Sequence, residues 1–135
     1  MGQFQNAPGP SNEEFNNVVD QIVKNTISVT SETGIAIENK NSVAFESNGI
    51  VYINIAFATV NSSKSSNTWI NILTMPSGKT PSKDRGTSAI VVDTNGDVIG
   101  VSRVALGTDG ILKAKTNIAL SAYYGFAGIN IAYKL

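Results

Sequence analysis

The sequence predicts an all-β, antiparallel domain, a sandwich or barrel with one short helix at its N-terminal end. Three observations predict it. From residue 26 onward the apolar residues recur at every second position, the period of a strand with one face buried. Turn residues break this pattern about every 8–12 residues with no helical stretch between, which reads as antiparallel hairpins rather than βαβ units. Charged residues make up only 15% of the chain, against about 25% in an ordinary soluble domain, so Asn, Ser, Thr and Gly must cover the surface.

Taken in order, residues 1–10 form a flexible lead-in, because Pro8-Gly9-Pro10 stops any regular element. Residues 11–25 carry the one helical signal. Ser11 stands three residues before Glu14 as a capping box, and Phe15, Val18, Val19, Ile22 and Val23 follow helical spacing. A helix this short is not stable alone in water. Its stripe packs either on its own domain or against the same helix of other copies, where Phe15, Val18, Val19 and Ile22 form the seam.

Residues 26–135 form the β domain. Strands are expected over 26–30, 34–38 and 42–46, the last closed by Ser47-Asn48-Gly49. Residues 50–60 form a long strand whose two faces are both apolar up to Phe57, so either face can be buried. A Ser-rich loop over 61–67 leads to a strand at 68–75, on which Trp69 reads as a core residue. An exposed loop over 76–86 is stiffened by Pro76 and Pro81 and gathers Lys79, Lys83 and Arg85. Strands 87–93 and 97–106 form a hairpin across Thr94-Asn95-Gly96. A second hairpin leads through Thr108-Asp109-Gly110 into 111–116, and strands 117–123 and 127–133 close the chain around Gly125.

Composition excludes several functions. The chain has no Cys and no His, hence no disulfide, no thiolate nucleophile, no imidazole base and no ordinary transition-metal site. Ten basic and ten acidic residues give a formal net charge of 0, so no global field draws in nucleic acid. No apolar run is long enough to span a membrane as a helix, and no signal peptide is expected. The charge is uneven along the chain: residues 1–60 hold six acids and two bases, residues 61–135 four acids and eight bases.

Motifs for chemistry fail on their spacing. Ser77-Gly78-Lys79-Thr80 lacks the earlier Gly of a phosphate-binding loop, since position 73 is Leu, and Pro81 blocks the helix that should follow. Asp93-x-Asn95-x-Asp97 has Val98 and Val104 where a calcium loop needs Gly and Glu. Asp84, Asp93, Asp97 and Asp109 all fall in turns, and no spacing marks two of them as a glycosidase pair. No catalytic residue, metal or cofactor is expected. The saccharide-binding candidates are Tyr123 and Tyr124, the least committed aromatics, with the turn residues Asp93, Asn95 and Asp97 as acceptors for vicinal hydroxyls. The alternative is that the Tyr pair packs between subunits and the acids only shape their turn.

Over residues 68–135 the order of parts resembles a known family. Trp69 opens a strand. Then come Met75-Pro76-x-Gly78-x-x-Pro81, Ser88-Ala89-Ile90-Val91-Val92, Asn95-Gly96, a strand over 98–104, Thr108-Asp109-Gly110-Ile111-Leu112 and a last apolar strand. This is similar to the C-terminal head domain of receptor-binding proteins and tail fibres from bacteriophages of Gram-positive bacteria. Met75 stands where the family often has Leu, and Lys79 where it has an aromatic. The resemblance implies a jelly-roll-like β-sandwich that forms a homotrimer and has no enzymatic activity. It implies binding of host cell-wall polysaccharide, contact with other tail or baseplate proteins, and a place in the virion tail. The residues 11–25 would then be a stalk or shoulder. A structural trimerisation module that binds no sugar is the alternative, and a glycan hydrolase is disfavoured by the absent His.

Overall fold

A computed structural model of the protein describes residues 25–135. The expected helix, with Phe15, Val18, Val19 and Ile22, lies outside the described residues. Nine strands follow: β1 (Thr30–Ser31), β2 (Ile35–Ile37), β3 (Val43–Ser47), β4 (Ile50–Val60), β5 (Ile70–Thr74), β6 (Arg85–Val92), β7 (Val98–Leu106), β8 (Ile111–Lys115) and β9 (Gly125–Lys134). Every pairing is antiparallel, in one sheet ordered β1-β5-β8-β7-β6-β9-β4-β2, with β3 beside β2 on the same edge of β4. The two end strands are consecutive in the chain. A turn in which Ile35 N donates to Glu32 O (3.0 Å) joins β1 on the β5 side to β2 on the β4 side. The sheet therefore nearly closes on itself: its end strands β1 and β2 are only two and three residues long, and the outer edge of β3 is bonded to residues 25–27, where Ile27 N donates to Ala44 O (2.8 Å) and Glu46 N to Asn25 O (3.0 Å).

The interior is filled by alternate residues of each strand. On β4 the buried positions are Val51, Ile53 and Ile55, then Ala58 and Val60; on β9 they are Phe126, then Ile129, Ile131 and Tyr133. Both strands change phase at the same place. Ala56 and Gly128 are left out of the pairing between Ile55↔Ile129 and Phe57↔Ala127. Gly128 has φ +75°, a conformation that side chains with a Cβ avoid, and Ala56 N finds Ser42 Oγ (3.0 Å) in place of a strand partner. This corrects the two-sided reading of the strand at 50–60. Its sequence is apolar at successive positions because the buried face switches within it, while Tyr52 and Asn54 stay exposed.

Two other expectations change. Residues 117–123 form a loop rather than a strand. Leu120 exchanges both backbone hydrogen bonds with Lys64, and Tyr123 takes φ +70°, far from extended backbone. The alternation of Ile118 and Leu120 with polar residues comes from a strap that inserts one buried Leu. The loop at 76–86 is shorter than expected, because Arg85 and Gly86 already belong to β6. It is also anchored: Pro81 is buried, Met75 N donates to Gly110 O (2.8 Å), and Thr108 N donates to Asp84 Oδ1 (3.2 Å). The Met-Pro loop and the Thr-Asp-Gly turn, noted separately in the sequence, are thus one packed unit.

Candidate ligand-binding surface

On β8, Leu112 and Ala114 point inward, so Lys113 and Lys115 share the outer face. Arg103 on β7 lies directly opposite Lys115, and Ala105 opposite Lys113. On the other side of β8, Ile70 of β5 pairs with Ala114. Because Ile70 is buried, the preceding Trp69 lies over the outside of β8 and is half-buried. This corrects its reading as a core residue: Ile70, Ile72 and Leu73 take the interior positions, aided by an irregularity in pairing between Asn71 and Leu73.

Three cations surround the Trp69 ring. Lys113 Nζ is 5.1 Å from the ring centroid, Lys115 Nζ 5.6 Å and the Arg103 guanidinium carbon 5.6 Å. At exposed sites each such contact contributes about 0.5–1 kcal/mol. The ion pair among the described residues, Lys79 with Glu46, is elsewhere, so none of the three has a carboxylate partner there. Two open hollows flank the cluster. One, of about 370 Å³, is lined by Trp69, Lys113, Asp84, Gly107 and Asp109 among others. A Cβ on Gly107 would lie 2.7 Å from Asp109 Oδ1 and 3.8 Å from Asp84 Oδ1, so the two carboxylates meet over this glycine. Both already accept backbone hydrogen bonds, from Ile111 N (3.0 Å) and Thr108 N (3.2 Å). The other hollow, of about 490 Å³, is lined by Arg103, Lys115, Asn67, Ser88, Asn117 and Val101 among others. The surface thus offers cations, carboxylates and neutral amides and hydroxyls around one indole, which suits a polar, hydroxyl-rich ligand.

The residues singled out from sequence lie elsewhere. Asp93 Oδ1 accepts from Asn95 N (2.9 Å) and Asp97 N (3.0 Å), so Asp93 shapes the β6–β7 turn, while Asn95 and Asp97 are exposed at its tip. Tyr123 is 65% exposed, whereas Tyr124 packs against the core. Val92 pairs with Gly125, so strand order brings the 93–97 turn and the Tyr pair to the same corner of the sheet. The basic loop does not act as one patch. Lys79 is ion-paired to Glu46 and its carbonyl accepts from Tyr133 Oη, Lys83 is exposed, and Arg85 has its Nε buried with no hydrogen-bond partner among the described residues. Arg103, Lys113 and Lys115 were not singled out. Their sequence signals are the Lys-Ala-Lys alternation of β8 and the basic excess of the second half of the chain.

No family model matches the sequence, and no curated protein matches it. Among solved structures the chain is similar to the head domain of phage bIL170, described with the receptor-binding domains of lactococcal phages. The TM-score is 0.65 at 14% identity, over 82% of this chain and 96% of that one. At this identity the likeness is one of fold, and it is the fold that the sequence resemblance implies.

Proposed function

We propose that this chain is the receptor-binding head of a phage tail fibre or baseplate, recognising a carbohydrate of the host surface. The fold of a phage receptor-binding head supports the reading. The observation that carries it further is the Trp69 surface, where an indole, two carboxylates, cations and neutral polar groups converge on open hollows. The role is binding rather than catalysis, in keeping with the fold of a receptor-binding head, and Asp84 and Asp109 each accept a backbone N–H of the turn they stabilise. The corner of Tyr123, Asn95 and Asp97 is a second candidate contact for the same glycan, and the head sits in the virion tail beside other tail proteins.

The head works as a homotrimer. A row of outward residues supports this: Phe57, Ala127, Ile90 and Val101 are register partners across β4, β9, β6 and β7, with Ile90 40% and Val101 69% exposed. Covering such a row favours association. The same row favours the second reading, a structural assembly module that binds no sugar. Calorimetric titration with host cell-wall polysaccharide separates the two. The expected result is saturable binding that is lost in Trp69→Ala with the fold intact. Absence of binding by a well-folded oligomer leaves the assembly module.

A further inference from the structure

We propose that Arg103, Lys113 and Lys115 form a preorganised anion cradle scaffolded by Trp69, so that the ligand of this surface carries a negatively charged group. The inference rests on the carbohydrate-binding reading and specifies the class of glycan.

Three cations share one outward face with no carboxylate among the described residues to pair them. Arg103 and Lys115 are direct cross-strand partners, and like charges placed opposite each other destabilise a sheet. Lys113 adds a third charge on the same face. Since all three lie within 5.1–5.6 Å of one centroid, no two are more than about 11 Å apart, near the screening length of about 10 Å at 0.1 M salt. The neighbouring carboxylates do not relieve this. Asp84 and Asp109 accept backbone hydrogen bonds, and neither forms a salt bridge with the three cations.

The cradle is also rigid. Its cations stand on β7 and β8, whose intervening residues Val104, Leu112 and Ala114 are buried, so their backbones are fixed by the core. The indole holds the charged ends close to its surface. That arrangement covers the ring with cations and works against stacking of a neutral sugar on it. An anionic group seated among the three removes their mutual repulsion and gains charge-assisted hydrogen bonds. Asn67, Ser88 and Asn117 in the adjoining hollow are placed to meet the hydroxyls beside it. The shared ligand chemistry is an anionic group on a hydroxylated polymer, whether phosphodiester or carboxylate.

Trp69 is the only Trp, so its fluorescence reports directly on the cradle. The full chain is titrated with polyphosphate, with polygalacturonate and with neutral dextran. The expected result is a saturable emission change with at least one polyanion and none with dextran, weakening about tenfold or more from 50 to 500 mM salt. The stem-preserving triple variant Arg103→Gln, Lys113→Gln, Lys115→Gln lowers the affinity at least about tenfold, while Lys134→Gln on the exposed end of β9 leaves it unchanged; melting temperatures confirm that each variant folds. Whichever polyanion binds more tightly identifies the charge as phosphate or carboxylate. No polyanion binding, equal binding of dextran, or equal weakening by Lys134→Gln overturns the cradle. Host polysaccharide is titrated in parallel. Polysaccharide binding untouched by the triple variant also overturns the cradle and leaves the receptor reading standing. Polyanion binding at the cradle without any polysaccharide binding does the reverse.

Discussion

Two residues apart on β7, Val101 and Arg103 stand in two different rows of the outer face, although both border the hollow beside Lys115. Val101 ends an apolar row running through Ile90 and Ala127 to Phe57. Arg103 sits in the next outward row, with Ser88 on one side and Lys115 on the other, beneath Trp69. The strand presents both because its outward positions lie 6–7 Å apart, so a single alternation carries the surface from apolar to basic. The difference shows how one sheet can hold two roles without a second domain. An exposed apolar row is stabilised by being covered, whereas clustered cations lose hydration when covered by protein and gain only from an opposite charge.

The largest expected effect comes from breaking the apolar row alone. Ile90→Asp places a charge within the row at a position exposed to solvent. Sedimentation equilibrium should fall from three times 14.2 kDa toward 14.2 kDa, with circular dichroism unchanged and polyanion binding at Trp69 retained. A trimer that survives Ile90→Asp moves the assembly contact to the stripe of Phe15, Val18, Val19 and Ile22.

A smaller effect separates the surfaces by pH. Tyr133 on β9 pins the loop ending at Asp84 by donating its hydroxyl to the Lys79 carbonyl, and burial pushes that hydroxyl from 10.0 up to about 12. In the unfolded chain the phenol ionises near its ordinary value, while the folded chain keeps its proton. The stabilisation is therefore complete below pH 10 and is lost as the pH rises toward 12. Urea midpoints measured from pH 9 to 12 should decline, and Tyr133→Phe should flatten this part of the decline. An unchanged slope in Tyr133→Phe contradicts the pin.

Much of the fold was legible because it rests on local chemistry. The β6–β7 turn follows from Asn95-Gly96, and the alternation of β8 follows from Leu112 and Ala114 interleaved with Lys113 and Lys115. The phase change at Ala56 and Gly128 was not legible, since apolar residues at successive positions look the same whether two faces are buried or one face switches. Trp69 was misread for a related reason: next to Ile70 it fits an apolar strand, and only the register with Ala114 shows which of the two is inside. The cradle depends on long-range order. Residues 69, 103, 113 and 115 meet only when β8 lies between β5 and β7, and no local pattern specifies that neighbourhood. The corner of Tyr123 and Asp93 was proposed without strand order, and the pairing of Val92 with Gly125 supplies the missing proximity.

That corner gives the smallest and most discriminating test. Tyr123 combines two features that disfavour a tyrosine: φ +70°, a conformation costing about 1–2 kcal/mol for a residue with a Cβ, and a side chain 65% exposed. Its backbone N–H donates to Val60 O (2.6 Å), which holds the turn in place whatever the side chain. Glycine at this position relieves the strain and loses little packing, although its greater freedom in the unfolded chain offsets part of the gain. Tyr123→Gly should therefore raise stability by about 0.5 kcal/mol in urea unfolding. If the exposed ring contacts the glycan, the same variant should bind cell-wall polysaccharide several-fold more weakly while leaving polyanion binding at Trp69 unchanged. A gain in stability with undiminished polysaccharide binding removes Tyr123 from the binding surface and leaves recognition to the Trp69 side of the sheet.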